Sequence, residues 1–255
     1  MALFAGSLYA ESLGMNTGVT VSLPGERRDR TGDMPVLYLL HGLSDDHTSW
    51  VRRTDIDRYA EEWGVAVIMP EVQRSFYCDM TNGPRYFTYI VDELPALCQR
   101  LFRVSARRED NFVAGLSMGG YGALRLALRY PGRYAAAASL SGCVEMEKGY
   151  ETFASRGPFM LRELDDVYGS EHDLLRGPGS LFGLADRFLK EPDRAPRMYM
   201  ACGTEDFLFG LHKKFVPALE KNGWDVTHEE TPGFGHEWAY WDAQLAAFLP
   251  FALGD

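Results

Sequence analysis

The chain has 255 residues, 46% of them hydrophobic, with a formal net charge of −10. That length and apolar content suit one large α/β domain spanning 1–255, and no repeat or low-complexity linker offers a place to divide it. The acidic balance argues against nucleic acid and anionic membranes as partners, since either would repel the chain at long range.

Met1 to Glu11 has no basic stretch followed by a long apolar core, and no window approaches the roughly 18 apolar residues that cross a bilayer. The expected location is therefore cytoplasmic, without membrane association. The four cysteines, Cys78, Cys98, Cys143 and Cys202, contain no C-x-x-C pair, so neither a disulfide nor a zinc site is expected.

In chain order, Gly18 to Leu23 reads as an early strand. A polar stretch from Pro24 to Pro35 follows, where Arg27, Arg28 and Arg30 alternate with Glu26, Asp29 and Asp33 as in an exposed loop. Val36 to Leu40, Val65 to Met69, Phe112 to Leu116, Tyr134 to Leu140 and Arg197 to Cys202 are continuous apolar runs, the pattern of strands covered on both faces. Between and after them, helical spacing occupies Asp55 to Trp63, Tyr86 to Phe102 with a bend expected at Pro95, Gly120 to Tyr130, Leu211 to Asn222 and Glu237 to Leu253. The alternation predicts a mostly parallel central sheet with helices on both faces, whose ligands gather at the carboxyl ends of the strands. Residues 145–196 break this rhythm with two Arg-Gly-Pro turns and short amphipathic pieces, as a small cap insertion would.

Gly115-Leu116-Ser117-Met118-Gly119 lies between a predicted strand and a predicted helix, the setting in which G-x-S-x-G marks a nucleophilic serine. A serine on so tight a turn sits at strained angles, and Gly115, Gly119 and Gly120 remove side chains that would collide there. The helix that follows points its N-terminal N–H groups and positive dipole end at the serine.

A serine hydroxyl needs a base, and the base needs an orienting carboxylate. Gly203-Thr204-Glu205-Asp206 places two acids at a strand's carboxyl end, and His236 follows in a glycine-rich loop after the strand-like Asp225 to Glu230. Both acids can face the ligand edge, and the shorter side chain of Asp206 has fewer rotors to fix. Among the six histidines, His236 is placed to act as base. His172, His212 and His228 lie in charged or polar surroundings that suit a solvated surface, while His41 and His47 flank Asp45 and Asp46 without a third ligand at metal-binding spacing. In His41-Gly42-Leu43-Ser44, Gly42 permits a turn that lets the Leu43 N–H join that of Met118 around a developing oxyanion.

These segments, with Ser49-Trp50, Gly120-Tyr121-Gly122-Ala123-Leu124, Phe207 and Gly235-His236-Glu237-Trp238, resemble the esterase D family of α/β-hydrolases over nearly the whole chain. That family includes S-formylglutathione hydrolases, short-chain tributyrin esterases and acetyl or feruloyl esterases. The resemblance implies a serine carboxylesterase without metal or organic cofactor, often oligomeric, acting on a small-molecule ester. It assigns Ser117 as nucleophile, Asp206 as acid, His236 as base and Leu43 and Met118 as oxyanion donors. Trp50 and Tyr121, within the shared motifs, are the candidate substrate-binding aromatics. Leu43-Ser44-Asp45-Asp46 and Leu116 replace the Gly-Leu-Thr-Cys stretch and pre-nucleophile histidine of the formylglutathione branch, which favours the tributyrin and acetyl/feruloyl branch; thioester hydrolysis or acyl transfer is the alternative among enzymes, and a catalytically silent binding protein, which would be expected to lack a triad or oxyanion residue, the alternative of another class. Charges in the cap segment, including Glu163, Asp165, Asp166 and Asp173, argue for short acyl chains.

Overall fold

A computed structural model describes residues 1–25, 32–146, 155, 157–170, 180–186 and 195–254. Its centre is an eight-stranded sheet in the order β1-β2-β4-β3-β5-β6-β7-β8, formed by Ala2–Ala10 (β1), Met15–Leu23 (β2), Val36–Leu40 (β3), Ala66–Pro70 (β4), Asn111–Leu116 (β5), Ala136–Leu140 (β6), Arg197–Gly203 (β7) and Val226–Thr231 (β8). From β4 to β8 every neighbour pair is parallel, while β1 and β2 add an antiparallel hairpin at one edge. This is the α/β-hydrolase arrangement that the sequence implied.

All residues of β3, β4, β5 and β6 are buried, as their unbroken apolar runs require. Alternation still sorts their side chains between two cores: Val36, Tyr38 and Leu40 join one, Leu37 and Leu39 the other. The first core receives Leu94–Phe102 (α4), Met118–Arg129 (α5), Leu181–Ala185 (α7) and Phe209–Lys221 (α8). The second receives Ser49–Arg53 (α1), Ile56–Trp63 (α2) and Trp238–Leu253 (α9).

Strand β1 escapes the sequence reading because it is largely exposed on both faces and lacks a polar–apolar alternation. The bend expected at Pro95 takes the form of a π-helical turn, Tyr89–Glu93, between Tyr86–Thr88 (α3) and α4. Proline lacks an N–H for the carbonyl four residues back. That carbonyl, Val91, instead accepts from the Arg133 guanidinium at 2.6 Å.

Within 145–196, the described portion includes Pro158–Tyr168 (α6) and α7. Helix α6 is fastened by Thr81 and Asn82 N–H groups donating to the carbonyls of Val167 and Asp166, and by a bidentate Arg74–Glu163 pair. Residues 147–154, 156, 171–179 and 187–194, with His172 and Asp173, lie outside the described residues, as do Arg27, Arg28 and Arg30. No helix among the described residues is long and apolar enough to cross a membrane.

Candidate active site

Ser117 follows β5 at φ 52° and ψ −114°, a left-handed backbone that a serine adopts only under constraint. The constraint is steric and hydrogen-bonded. A Cβ on Gly115 would run into the Gly119 backbone, and one on Gly119 into the carbonyl oxygens of Leu40 and His41. Strand β5, helix α5 and the end of β3 therefore approach more closely than any larger residue permits. The Ser117 N–H donates to the Leu140 carbonyl at 2.9 Å, and its own carbonyl accepts from Tyr121 and Cys143.

Beside it, the loop after β3 has three successive carbonyls turned onto side-chain donors. Trp50 Nε1 donates to Leu40 at 3.1 Å, the Tyr77 hydroxyl to His41 at 3.0 Å, and His41 Nδ1 to Gly42 at 2.7 Å. Because the Val72 N–H donates to His41 Nε2, the ring proton resides on Nδ1. The Gly42 N–H is held by Asp45, and Leu43 comes next on the cavity wall. Glu71 braces the loop from behind, accepting from the Gln73 and His47 N–H groups. His47 bonds to the Thr20 hydroxyl. The two histidines thus serve hydrogen bonds that shape the loop.

On the other side of Ser117, the acid turn and the histidine loop are pinned together. Thr204 and Glu205 N–H groups donate to Thr231 and Phe234 carbonyls, and a Cβ on Gly203 would strike the Phe234 carbonyl. The Asp206 carboxylate, 5% exposed, meets His236 Nδ1 at 2.8 Å, and its second oxygen accepts from the Leu208 N–H at 2.8 Å. Burial raises the Asp206 pKa, yet the hydrogen bond and charge of His236, the Leu208 amide and the Ser141 hydroxyl prevail and hold it below the usual range. Glu205 is exposed. The backbone separates the two acids that spacing alone had left together.

The His236 ring is packed between Phe207, 4.7 Å away, and the edge of Trp241, 4.9 Å away. Trp241 Nε1 donates to Ser141 Oγ at 3.1 Å. Sequence reasoning gave Ser141 no role, because nothing marks it in Leu140-Ser141-Gly142. Its position shows only when the end of β6 lies beside that of β7, at φ 49° and with its N–H on the Ala201 carbonyl. Phe76 and Tyr77, also at positive φ, were likewise invisible as strained positions.

A cavity of about 320 Å³ opens where these loops meet, lined by Gly42, Leu43, Ser117, Met118 and His236, with apolar walls from Phe76, Leu116, Cys143, Phe207, Leu208, Trp238 and Trp241. Ser117, His236, Leu43 and Met118 thus share one cavity wall, with Asp206 behind His236. The two candidate substrate-binding aromatics are not on the wall. Trp50 is fully buried, held by Leu40 and set against the edge of Trp238. Tyr121 is also fully buried on α5, where its ring meets Phe76 edge-on. Both support cavity residues from behind, because α1 and α5 turn their apolar faces to the cores. His212, expected at a solvated surface, is only 2% exposed, since it falls on the core face of α8.

The family described as "Putative esterase" matches residues 10–252. This chain belongs to that esterase family. As a member it is a carboxylic ester hydrolase of the serine type. An acetyl esterase from Caldicellulosiruptor saccharolyticus is 29% identical over 260 residues, covering 96% of each chain. Among solved structures, the esterase superposes on the substrate-bound fluorophosphonate-binding serine hydrolase FphF of Staphylococcus aureus with a TM-score of 0.90 and 31% identity, over 100% of this chain and 99% of that one. The S-formylglutathione hydrolase FrmB of Staphylococcus aureus superposes with a TM-score of 0.87 and 31% identity, over 99% of each.

Proposed function

We propose that the esterase cleaves short-chain acyl esters, acetyl to butyryl, through Ser117, His236 and Asp206. The observation that carries this reading is the 2.8 Å contact of His236 Nδ1 with the buried Asp206 carboxylate, on the wall of a cavity that Ser117 shares. With Nδ1 engaged, the Nε2 lone pair is left to take the Ser117 proton as Oγ attacks the ester carbonyl. The N–H groups of Leu43 and Met118 receive the oxyanion, and the dipole of α5 favours the same charge. His236 then returns the proton to the departing alcohol, and water repeats the cycle on the acyl-enzyme.

The similarity to an acetyl esterase supports the limit on chain length, and a site shaped for a short acyl group is overpacked by further methylenes. In an open apolar channel each buried methylene would instead gain about 0.8 kcal/mol, favouring long chains. Measuring kcat/KM on p-nitrophenyl acetate, butyrate, octanoate and decanoate tests this. A decline beyond butyrate is expected, and a steady rise with length would refute the short-chain reading. A thioester substrate is the second reading, favoured by the similarity to FrmB. Side-by-side rates on S-formylglutathione and an acetyl ester distinguish the two.

A further inference from the structure

A second cluster of chemically able side chains lies on the far side of the acid turn. A ring nitrogen of His212, a ring nitrogen of His228 and a carboxylate oxygen of Glu230 lie within 4.8 Å of one another. None of the three lines the ester cavity. Strand periodicity explains the meeting. Val226 packs against the same core as Phe215 and Leu219 of α8, so His228 and Glu230, two and four residues further along β8, share its face towards that helix. His212 projects from the core side of α8, one turn before Phe215.

The His212 ring is the independent sign of a ligand. It is 2% exposed, yet its Nε2 has no hydrogen-bond partner among the described residues. Buried polar nitrogens are ordinarily satisfied, because leaving one bare forfeits its hydration without return. Burial and the nearby His228 push the His212 pKa down to about 4, so the ring is neutral at pH 7 and offers a lone pair.

We infer that His212, His228 and Glu230 form a binding site for a borderline divalent transition-metal ion of the Zn²⁺ type, separate from the ester cavity. Two imidazoles and one carboxylate match the preferences of Zn²⁺, Co²⁺, Ni²⁺ and Cu²⁺, whereas Mg²⁺ and Ca²⁺ call for all-oxygen sets. Tetrahedral Zn²⁺ with bonds near 2.1 Å sets its ligand atoms roughly 3.4 Å apart. The closure is small, and the two side chains that must move, His228 and Glu230, are exposed and free to change rotamer. With His228 and Glu230 exposed, water is at hand to complete the coordination.

Such an ion staples the edge strand β8 to α8. It also lies close behind the catalytic acid: the His212 N–H donates to the Leu208 carbonyl, and the Leu208 N–H holds Asp206. Its role is to stabilise that corner of the molecule, with ester cleavage left to the serine.

The test uses the full chain with any affinity tag removed, treated with EDTA, dialysed and titrated with zinc chloride at neutral pH in a calorimeter, alongside thermal unfolding. One equivalent of Zn²⁺ should bind and raise the Tm by several degrees, while magnesium chloride should do neither. His228→Ala and Glu230→Gln alter exposed positions on a folded chain, and each should weaken Zn²⁺ binding by about tenfold or more and remove the Tm rise. His236→Ala, which deletes the other imidazole beside a carboxylate, should leave the binding intact. Absence of saturable binding up to millimolar zinc, undiminished binding in His228→Ala, or loss of binding in His236→Ala would each overturn the assignment.

Discussion

The two flanks of Ser117 are built on different principles. The Ser117 and Leu43 flank, at the ends of β5 and β3, is fixed by backbone: glycines at 115 and 119 allow the main chains to touch, and carbonyls of Leu40, His41 and Gly42 are turned aside by buried donors. The Asp206 and His236 flank, at the ends of β7 and β8, is fixed by side chains: Asp206 on His236, Trp241 on Ser141, Phe207 against the imidazole. Backbone sterics leave a compact sequence signature. Side-chain contacts between distant segments leave little.

Substitutions on the two flanks should therefore fail differently. Ser117→Ala is expected to lower kcat for ester hydrolysis by a factor on the order of 10⁴ or more with folding intact, because the remaining groups have no nucleophile to activate. A folded variant that keeps most of its turnover, or that still labels with a fluorophosphonate, would remove Ser117 from the mechanism. On the acid flank, Asp206→Asn should cost about 10³ to 10⁴ in kcat, since the amide disturbs the tautomer and charge that His236 needs, whereas exposed Glu205→Gln should change it by about twofold or less. The reverse ranking in steady-state assays would transfer the role to Glu205.

A stability measurement sharpens the same comparison. The His212 pKa is depressed from 6.5 to about 4 in the folded chain. Between those values the unfolded chain takes up a proton that the folded chain refuses, so stability falls as pH drops from 6.5 towards 4. At about 1.4 kcal/mol per unit, the metal-free protein should lose at most roughly 3 to 4 kcal/mol from this group. Urea unfolding at a series of pH values should show the decline, and His212→Phe should flatten it. An equally steep decline in the variant would assign the effect to other groups.

A smaller effect than at Ser117 or Asp206 is expected at Trp241→Phe, which keeps a ring against His236 but removes the donor to Ser141. One lost hydrogen bond of about 1 kcal/mol corresponds to roughly five- to tenfold in kcat if it acts by positioning Asp206. KM for a small acetyl ester should hardly move. A large rise in KM with kcat unchanged would recast Trp241 as a wall of the acyl site only.

Much of the fold was legible because its causes are local or periodic. Continuous apolar runs became β3 to β6, helical spacing became α2, α5, α8 and α9, and the missing amide of Pro95 became a π-helical turn. Strand β1 was not legible, since an exposed edge strand needs no apolar pattern and takes its conformation from pairing with β2. At the site, Gly115-Leu116-Ser117-Met118-Gly119 announced itself through the steric demands of one turn, and family motifs supplied the chain order of acid and histidine. Trp50 and Tyr121 were misread as substrate contacts because an aromatic in a motif carries no sign of which side of the cavity wall it occupies.

What the sequence by itself determined is the set of reactive groups and the strand ends that carry them, because hydrophobic periodicity and glycine placement act over a few residues. Only the tertiary structure decided which groups meet. It put Asp206 under His236 and left Glu205 outside, recruited Ser141 from the end of β6, turned Trp50 and Tyr121 into supports, and buried the ring of His212 beside His228 and Glu230. Each of these depends on strand order and register across a sheet, and contacts between segments tens of residues apart are set by how whole faces pack, which no short window of sequence encodes.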